Sequence, residues 1–236
     1  MELIFVIFAA LAPVIIALWY IFKKDSAQPE PTKWLVKAFF FGVLSALLSF
    51  IFSTPMEFIF GMELDAEEYA SIVDAFADAF LLASIPEELA KFIMLWLLLR
   101  KNPFFDEKFD GIVYAVFIGM GFAGIENIMY LIGGIEDGSW ISTGIVRALF
   151  SIPGHYLFAV LMGYYYSIHH FGIDRSLNTK LLILAAPILA HGLFDGILFS
   201  MQVNVFFAII GMIVFTIFLN VLRKKVKERI ERLRDL

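Results

Sequence analysis

The 236-residue sequence predicts an all-α integral membrane protein of about seven transmembrane helices, with its N-terminus outside and its C-terminus cytoplasmic. Three observations carry this. Hydrophobic residues make up 61% of the chain. They fall in seven runs of helix length: Leu3–Phe22, Ala38–Met56, Phe76–Leu99, Gly111–Gly133, Ile141–Ile168, Leu181–Phe199 and Val203–Leu222. Each is long enough to cross about 30 Å of hydrocarbon at about 1.5 Å per residue. The third observation is where the basic residues lie. Of the 18 Lys and Arg, all but Lys91 and Arg147 sit in the first, third and fifth loops or in the C-terminal tail. The positive-inside rule assigns those segments to the cytoplasm, and only an odd number of spans fits the pattern.

The elements follow in order. The first run starts Met1-Glu2 with no basic segment before it and continues past Ala10-Leu11-Ala12, so it reads as a retained helix rather than a cleaved signal peptide. The second follows a loop holding Lys23, Lys24 and Lys33, with Lys37 at its start. The third carries charge in mid-helix and is preceded by an acidic outer stretch with Glu57, Glu63, Asp65, Glu67, Glu68 and Asp74. The segment Leu64–Asp78 reads either as an amphipathic surface helix or as an outward extension of the third run. Glu136 and Asp137 make the next outer loop acidic too. The tail, 223–236, is basic and reads as a helix lying against anionic lipid. Residues 1–222 thus form a single polytopic domain, with a core at 35–200, placed in the cell membrane. No internal repeat is obvious. Strand-period alternation is absent, which argues against a barrel. With no cysteine, disulfides, thiolate catalysis and thiolate metal ligands are excluded. The one Gly-x-Gly, Gly119-Met120-Gly121, is mid-helix and gives nucleotide binding no support; His-Glu-x-x-His is missing, which excludes a zincin of that type; and no nucleic-acid partner is expected.

Nine polar groups interrupt these apolar runs: Glu87, Glu88, Lys91, Glu126, Asn127, Arg147, His155, His191 and Asp195. An ionisable group at mid-bilayer costs roughly 2.5–3.5 kcal/mol on insertion scales, so each must be paired, hydrated or used. In Ser84-Ile85-Pro86-Glu87-Glu88-Leu89-Ala90-Lys91, the lysine lies three and four residues from the two carboxylates and can reach either. One cation for two carboxylates leaves a candidate general base. Pro86 predicts a kink that frees a carbonyl near residue 82. Ala115, Gly119 and Ala123, four apart, read as a close helix-packing face. Glu126 and Arg147 fall at similar depth and can pair in a supporting role. His155 follows the break at Pro153-Gly154, and His191 and Asp195 share a helix face at i and i+4, the spacing by which a carboxylate orients an imidazole. His169-His170 sit at a cytoplasmic helix end and read as solvated.

Four helices therefore bring carboxylates and imidazoles to one level, inside a cavity opening outward. Two chemistries fit. In one, His155, His191 and Glu126 hold a metal such as Zn2+ while Glu87 or Glu88 takes a proton from water. In the other no metal is needed, and the histidines and Asn127 orient water and stabilise the oxyanion. A proton-coupled transporter or channel, or a non-catalytic membrane scaffold, is the competing reading.

Glu87-Glu88-x-x-Lys91, Phe122-x-x-x-Glu126-Asn127, Arg147 followed by Gly154-His155, and His191-x-x-x-Asp195 come in this order on four successive helices. Together they resemble the PrsW family of intramembrane proteases, within the wider CAAX-protease and bacteriocin-processing superfamily. Glu126 and Asp195 match that branch rather than the Phe-x-x-x-His and His-x-x-x-Asn of the wider group, which points away from prenyl-protein processing. The resemblance implies a peptidase acting on a membrane-anchored protein near its outer face, with site-1 cleavage of an anti-sigma factor as the family role. It implies Glu87, Glu88, His155 and His191 as the catalytic groups, and it leaves open whether the enzyme is metallo- or glutamate-type.

Overall fold

In the computed structural model, residues 2–26, 28–62 and 68–234 are described. Among them the chain is helical, with α1 (Glu2–Lys24), α2 (Thr32–Phe60), α3 (Ile72–Asp78), α4 (Ile85–Leu99), α5 (Asp110–Gly133), α6 (Trp140–Val146), α7 (Ile152–His170), α8 (Leu177–Ser200) and α9 (Val205–Arg234). Two π-helical turns, π1 (Ala79–Ser84) and π2 (Arg147–Ser151), join α3 to α4 and α6 to α7. Among the described residues six helices are long and apolar enough to cross a membrane: Glu2–Lys24, Thr32–Phe60, Asp110–Gly133, Trp140–His170, Leu177–Ser200 and Val205–Leu233. The third expected span, Phe76–Leu99, is not among these six; it is helical throughout but divided by π1, and it carries Glu87, Glu88 and Lys91. Of the acidic outer stretch, Glu63, Asp65 and Glu67 lie outside the described residues, as does the start of the expected surface helix; its end forms α3, capped by Ser71 on the Asp74 amide.

The surface is apolar where a soluble protein's would be polar: Phe5, Phe8, Trp19, Phe40, Ile51, Phe206, Ile213 and Ile217 are all exposed. Such a surface belongs in lipid, and the protein is a multi-pass membrane protein. Inside, α5 is the central post. It packs on α1, α2 and α7, while α8 packs on α7, α3, π1 and α9. Small residues set these distances. A Cβ on Gly42 of α2 would overlap the Ile118 carbonyl, and one on Gly121 the Phe39 carbonyl, so the α2–α5 crossing closes backbone to backbone. Gly119 does the same toward α7, where its nearest neighbours are Ala159 and the His155 carbonyl. The packing face read at Ala115, Gly119 and Ala123 is therefore in use, and it fixes the height of His155.

Each π turn precedes a proline by two residues. The Ile85 amide bonds five residues back to the Phe80 carbonyl, and the Ile152 amide bonds five back to Arg147. Pro86 and Pro153 have no amide to give and would clash with the carbonyl four residues earlier. Widening the helix by one residue relieves both problems. The kink expected at Pro86 is thus a π turn, and its twin lies at Ser151-Ile152-Pro153. Ser84-Ile85-Pro86 and Ser151-Ile152-Pro153 are the same tripeptide in the same local fold. This short repeat went unseen in the sequence because only the backbone gives it meaning.

At the basic end of the bundle, a buried polar cluster ties two connections together. Asp25 accepts the Glu30 amide at 3.1 Å, Tyr114 donates to Glu30, and Asp110 accepts the amides of Asp106 and Glu107 at 3.1 and 2.7 Å. The basic tail is the unbroken end of α9. Val226, Ile230 and Leu233 are buried along one stripe, and Arg229 donates to the Tyr165 hydroxyl at 2.8 Å.

Candidate active site

Glu87 and Glu88 are the first charged residues after Pro86, on the opening turn of α4. Their side chains diverge. Glu87 lines a cavity of about 630 Å³, whereas Glu88 is fully enclosed behind it. Lys91, one turn on, donates to Glu87 Oε2 at 3.0 Å and to Glu88 Oε1 at 2.9 Å, and its ammonium lies 3.9 Å from the centre of the Phe122 ring. The pairing expected from i,i+3 and i,i+4 spacing is met twice by the same cation, and the aromatic face shields the rest of it.

The two histidines arrive from α7 and α8. His191 turns Nδ1 to Glu88 Oε1 at 2.9 Å and Nε2 to Asp195 Oδ2 at 2.9 Å, with Glu87 Oε2 3.9 Å from Nε2. Phe158 stacks on the imidazole with centroids 4.6 Å apart and 19° between planes. His155 meets Lys91 Nζ at 3.3 Å through Nδ1 and Glu126 Oε2 at 2.9 Å through Nε2. An ammonium only donates, so Nδ1 is the acceptor and Nε2 carries the proton toward Glu126. The two rings lie 5.3 Å apart, edge to face.

Glu126 is held on its other side by Arg147, whose Nη2 reaches Oε2 at 2.6 Å. Arg147 Nε donates to Asn127 Oδ1 at 2.7 Å, and Asn127 Nδ2 donates to the Ala10 carbonyl at 2.8 Å. Asn127 is therefore buried with both ends of its amide engaged, and it does not line the cavity. Its position is that of a strut between α1 and Arg147 rather than of an oxyanion donor. One polar chain thus runs from α1 through Asn127, Arg147, Glu126, His155, Lys91, Glu88 and His191 to Asp195.

Of the nine residues singled out in the sequence, Glu87, Glu126, Arg147, His155, His191 and Asp195 line the cavity, while Glu88, Lys91 and Asn127 stand behind it. Two partners were missed. Phe158 lies one turn beyond His155 yet packs on His191, and Tyr130 lies one turn beyond Glu126 with its ring 4.0 Å from the Arg147 guanidinium. An aromatic residue one turn from a buried polar group was the available signal.

The metal set changes in one member. Ligand atoms of Glu87, His155 and His191 lie within 4.8 Å of one another. By this distance the candidate set holds Glu87 beside the two histidines, where the sequence reading had Glu126. The donor chemistry fits a zinc-type ion: two imidazoles, a carboxylate, and Glu88 behind His191 Nδ1 as an orienting acceptor.

The cavity occupies the half of the bundle away from the basic segments. Its walls are mostly apolar, with Phe50, Phe122, Phe150, Phe194, Leu198 and Phe199 prominent. On the basic side it is closed. Leu95, Ala115, Ile118, Gly119, Ala159 and Met162 surround the inner faces of Glu88 and Lys91 and leave only about 10 Å³. A one-sided, apolar-walled chamber with acid, base and imidazole at its floor is that of a membrane-embedded hydrolase.

Comparison with known proteins narrows this. Residues 30–222 match the model of the PrsW family intramembrane metalloproteases, and the chain belongs to that family. It is 36% identical to a protein named Protease PrsW from Clostridioides difficile over 214 residues, covering 89% of this chain and 84% of that one. It is 34% identical to the Protease PrsW of Bacillus subtilis over 216 residues, 91% and 90% of the two chains. The corresponding Geobacillus kaustophilus protein is 32% identical over 194 residues, 82% and 80%. No solved structure matches the chain. The protein is an intramembrane protease.

Proposed function

We propose that this protease hydrolyses a peptide bond of a membrane-anchored protein near the outer face of the bilayer, in a site-1-type cleavage of an anti-sigma-factor-like substrate, and that Glu87 activates the water. The observation that carries the reading is the difference between the two glutamates: Glu87 opens on the cavity within 3.9 Å of His191 Nε2, while Glu88 is shut behind it. A general base must reach the water it deprotonates. Glu87 takes the proton as the water oxygen attacks the scissile carbonyl carbon. His155, held between Lys91 and Glu126, and His191, held between Glu88 and Asp195, flank the point of attack. Glu87 then returns the proton to the leaving amine nitrogen. Glu88 is a positioning residue: it fixes His191 with Nδ1 away from the cavity and Nε2 toward it, and it neutralises Lys91. Apolar walls suit a hydrophobic segment and keep bulk water from the floor, which strengthens each of these interactions.

Where a metal is held, Glu87, His155 and His191 are the ligands the geometry favours, and the ion would supply Lewis-acid activation of water. The charge pattern supports seven spans, counting 72–99, with the cavity facing outward.

The test is quantitative N-terminal proteomics of cells expressing the wild type or Glu87→Gln. Fragments of membrane-anchored proteins cut near their outer boundary by the wild type alone are expected. Identical fragment sets, with both proteins inserted and folded, would overturn the proposal.

A further inference from the structure

Among the described residues lining the cavity Arg147 is the single Lys or Arg, and its guanidinium is only half used. The edge formed by Nε and Nη2 is spent on Asn127 and Glu126, at 2.7 and 2.6 Å. Of the five N–H donors of an arginine, those on Nη1 and the second on Nη2 make no hydrogen bond within the described residues. The group is also held still. Two acceptors grip one edge, Tyr130 lies against its face at 4.0 Å, and Asn127 is itself tied to the Ala10 carbonyl. A guanidinium that only neutralised Glu126 would not need three restraints or a place in the cavity wall. A rigid, forked, unspent donor edge in an apolar chamber is matched to a planar oxygen acceptor.

We propose that Arg147 is a substrate-binding residue, whose free edge receives an oxygen acceptor of the peptide near the cleaved bond: a main-chain carbonyl or a carboxylate side chain. This rests on the proteolytic reading above. A transmembrane segment must unwind to be cut, and unwinding frees main-chain carbonyls that have no other donor in an apolar chamber. Arg147 lies one turn before Ser151 and two before His155 on the same continuous helical segment, so an acceptor held there leaves the following bonds within reach of the floor. Binding energy taken up away from the reacting atoms aligns the scissile carbonyl with Glu87.

The experiment uses the full chain in lipid nanodiscs and a membrane-anchored reporter cut by the wild type but not by Glu87→Gln. Arg147→Lys keeps the charge beside Glu126 and loses the fork. The expected result is a rise of about tenfold or more in KM, expressed per mole of lipid, with kcat lowered less and the melting temperature within about two degrees of wild type. A fall in kcat at unchanged KM would make Arg147 a mere support for Glu126 and overturn the proposal, as would wild-type kinetics. If Arg147→Lys is destabilised, Tyr130→Leu takes its place, since it frees the guanidinium without breaking the ion pair. Higher KM there supports the proposal and unchanged KM overturns it. Replacing acidic reporter residues near the cut by Gln separates the two acceptors. If a carboxylate is bound, that change reproduces the loss in wild type and adds nothing in the variant. If a main-chain carbonyl is bound, the deficit of the variant is unaffected. Absence of any Glu87-dependent cleavage would overturn the proteolytic reading, and this inference with it.

Discussion

Glu87 and Glu88 are neighbours in the chain with opposite surroundings, and that difference makes them separable by mutation. Glu87 faces the cavity and shares Lys91 with Glu88, so Glu87→Gln removes a base without emptying a buried ion pair. Cleavage should fall by about 10²–10⁴, the usual contribution of a general base, with the melting temperature little changed. Glu88→Gln should lower activity and stability together. It takes the nearest carboxylate from a buried Lys91 and the orienting acceptor from His191 Nδ1, and losing one partner of a buried pair costs about 3–5 kcal/mol. Parallel thermal melts and single-turnover assays check both. An E88Q protein as stable as wild type would show that Glu87 alone holds Lys91.

The twin Ser-Ile-Pro segments are the device that aims these residues. Each proline opens a π turn, and the extra residue rotates everything beyond it by about 100° around the helix. Pro86→Ala restores an amide and allows an ordinary α-turn. The expected outcome is a loss of at least tenfold in activity with a melting temperature equal to or above wild type, because Glu87 turns from the cavity while the helix gains a hydrogen bond. A large drop in stability with full activity in the remaining folded protein would refute it. The α1–α2 connection carries a different prediction. Burial pushes the Asp25 carboxyl from 3.8 up to about 7, with the Glu30 and Glu107 carboxylates adding to the effect, and Glu30 is raised by burial as well. A raised carboxyl favours folding while protonated, so its stabilising effect is complete below pH 4 and is lost as pH rises through about 7. Asp25→Asn should flatten the fall in melting temperature between pH 4 and 7 and raise it at pH 8. A curve parallel to that of the wild type would contradict the assignment.

For the molecule as a whole, the absence of cysteine makes topology directly testable. Single cysteines at Ser139, before α6, and at Ser176, before α8, lie at opposite ends of the bundle. In intact cells a membrane-impermeant maleimide should label the first and not the second, which places the cavity outward. The reverse pattern would invert the orientation drawn from charge. The same view explains how much of the site the sequence revealed. The His191–Asp195 and Lys91–glutamate pairs were legible because they lie within one helix, at spacings the helix itself brings together. The Glu126–Arg147 pair was legible from depth, since both residues sit near the outer ends of successive spans. The link of His155 to Lys91, Glu88 to His191, and Asn127 to Ala10 was not, because each joins helices whose rotation depends on the packing of Gly42, Gly119 and Gly121.

By itself, then, the sequence determined the all-helical membrane fold, the polar residues inside it and the family, because hydrophobic length, charge placement and i+3 or i+4 spacing act along the chain. Which glutamate opens on the cavity, which carboxylate joins the two histidines and which face of Arg147 stays free were decided by the tertiary structure alone. Those outcomes depend on how two π turns and three glycine contacts rotate the helices about one another, and no spacing within a single helix encodes that rotation.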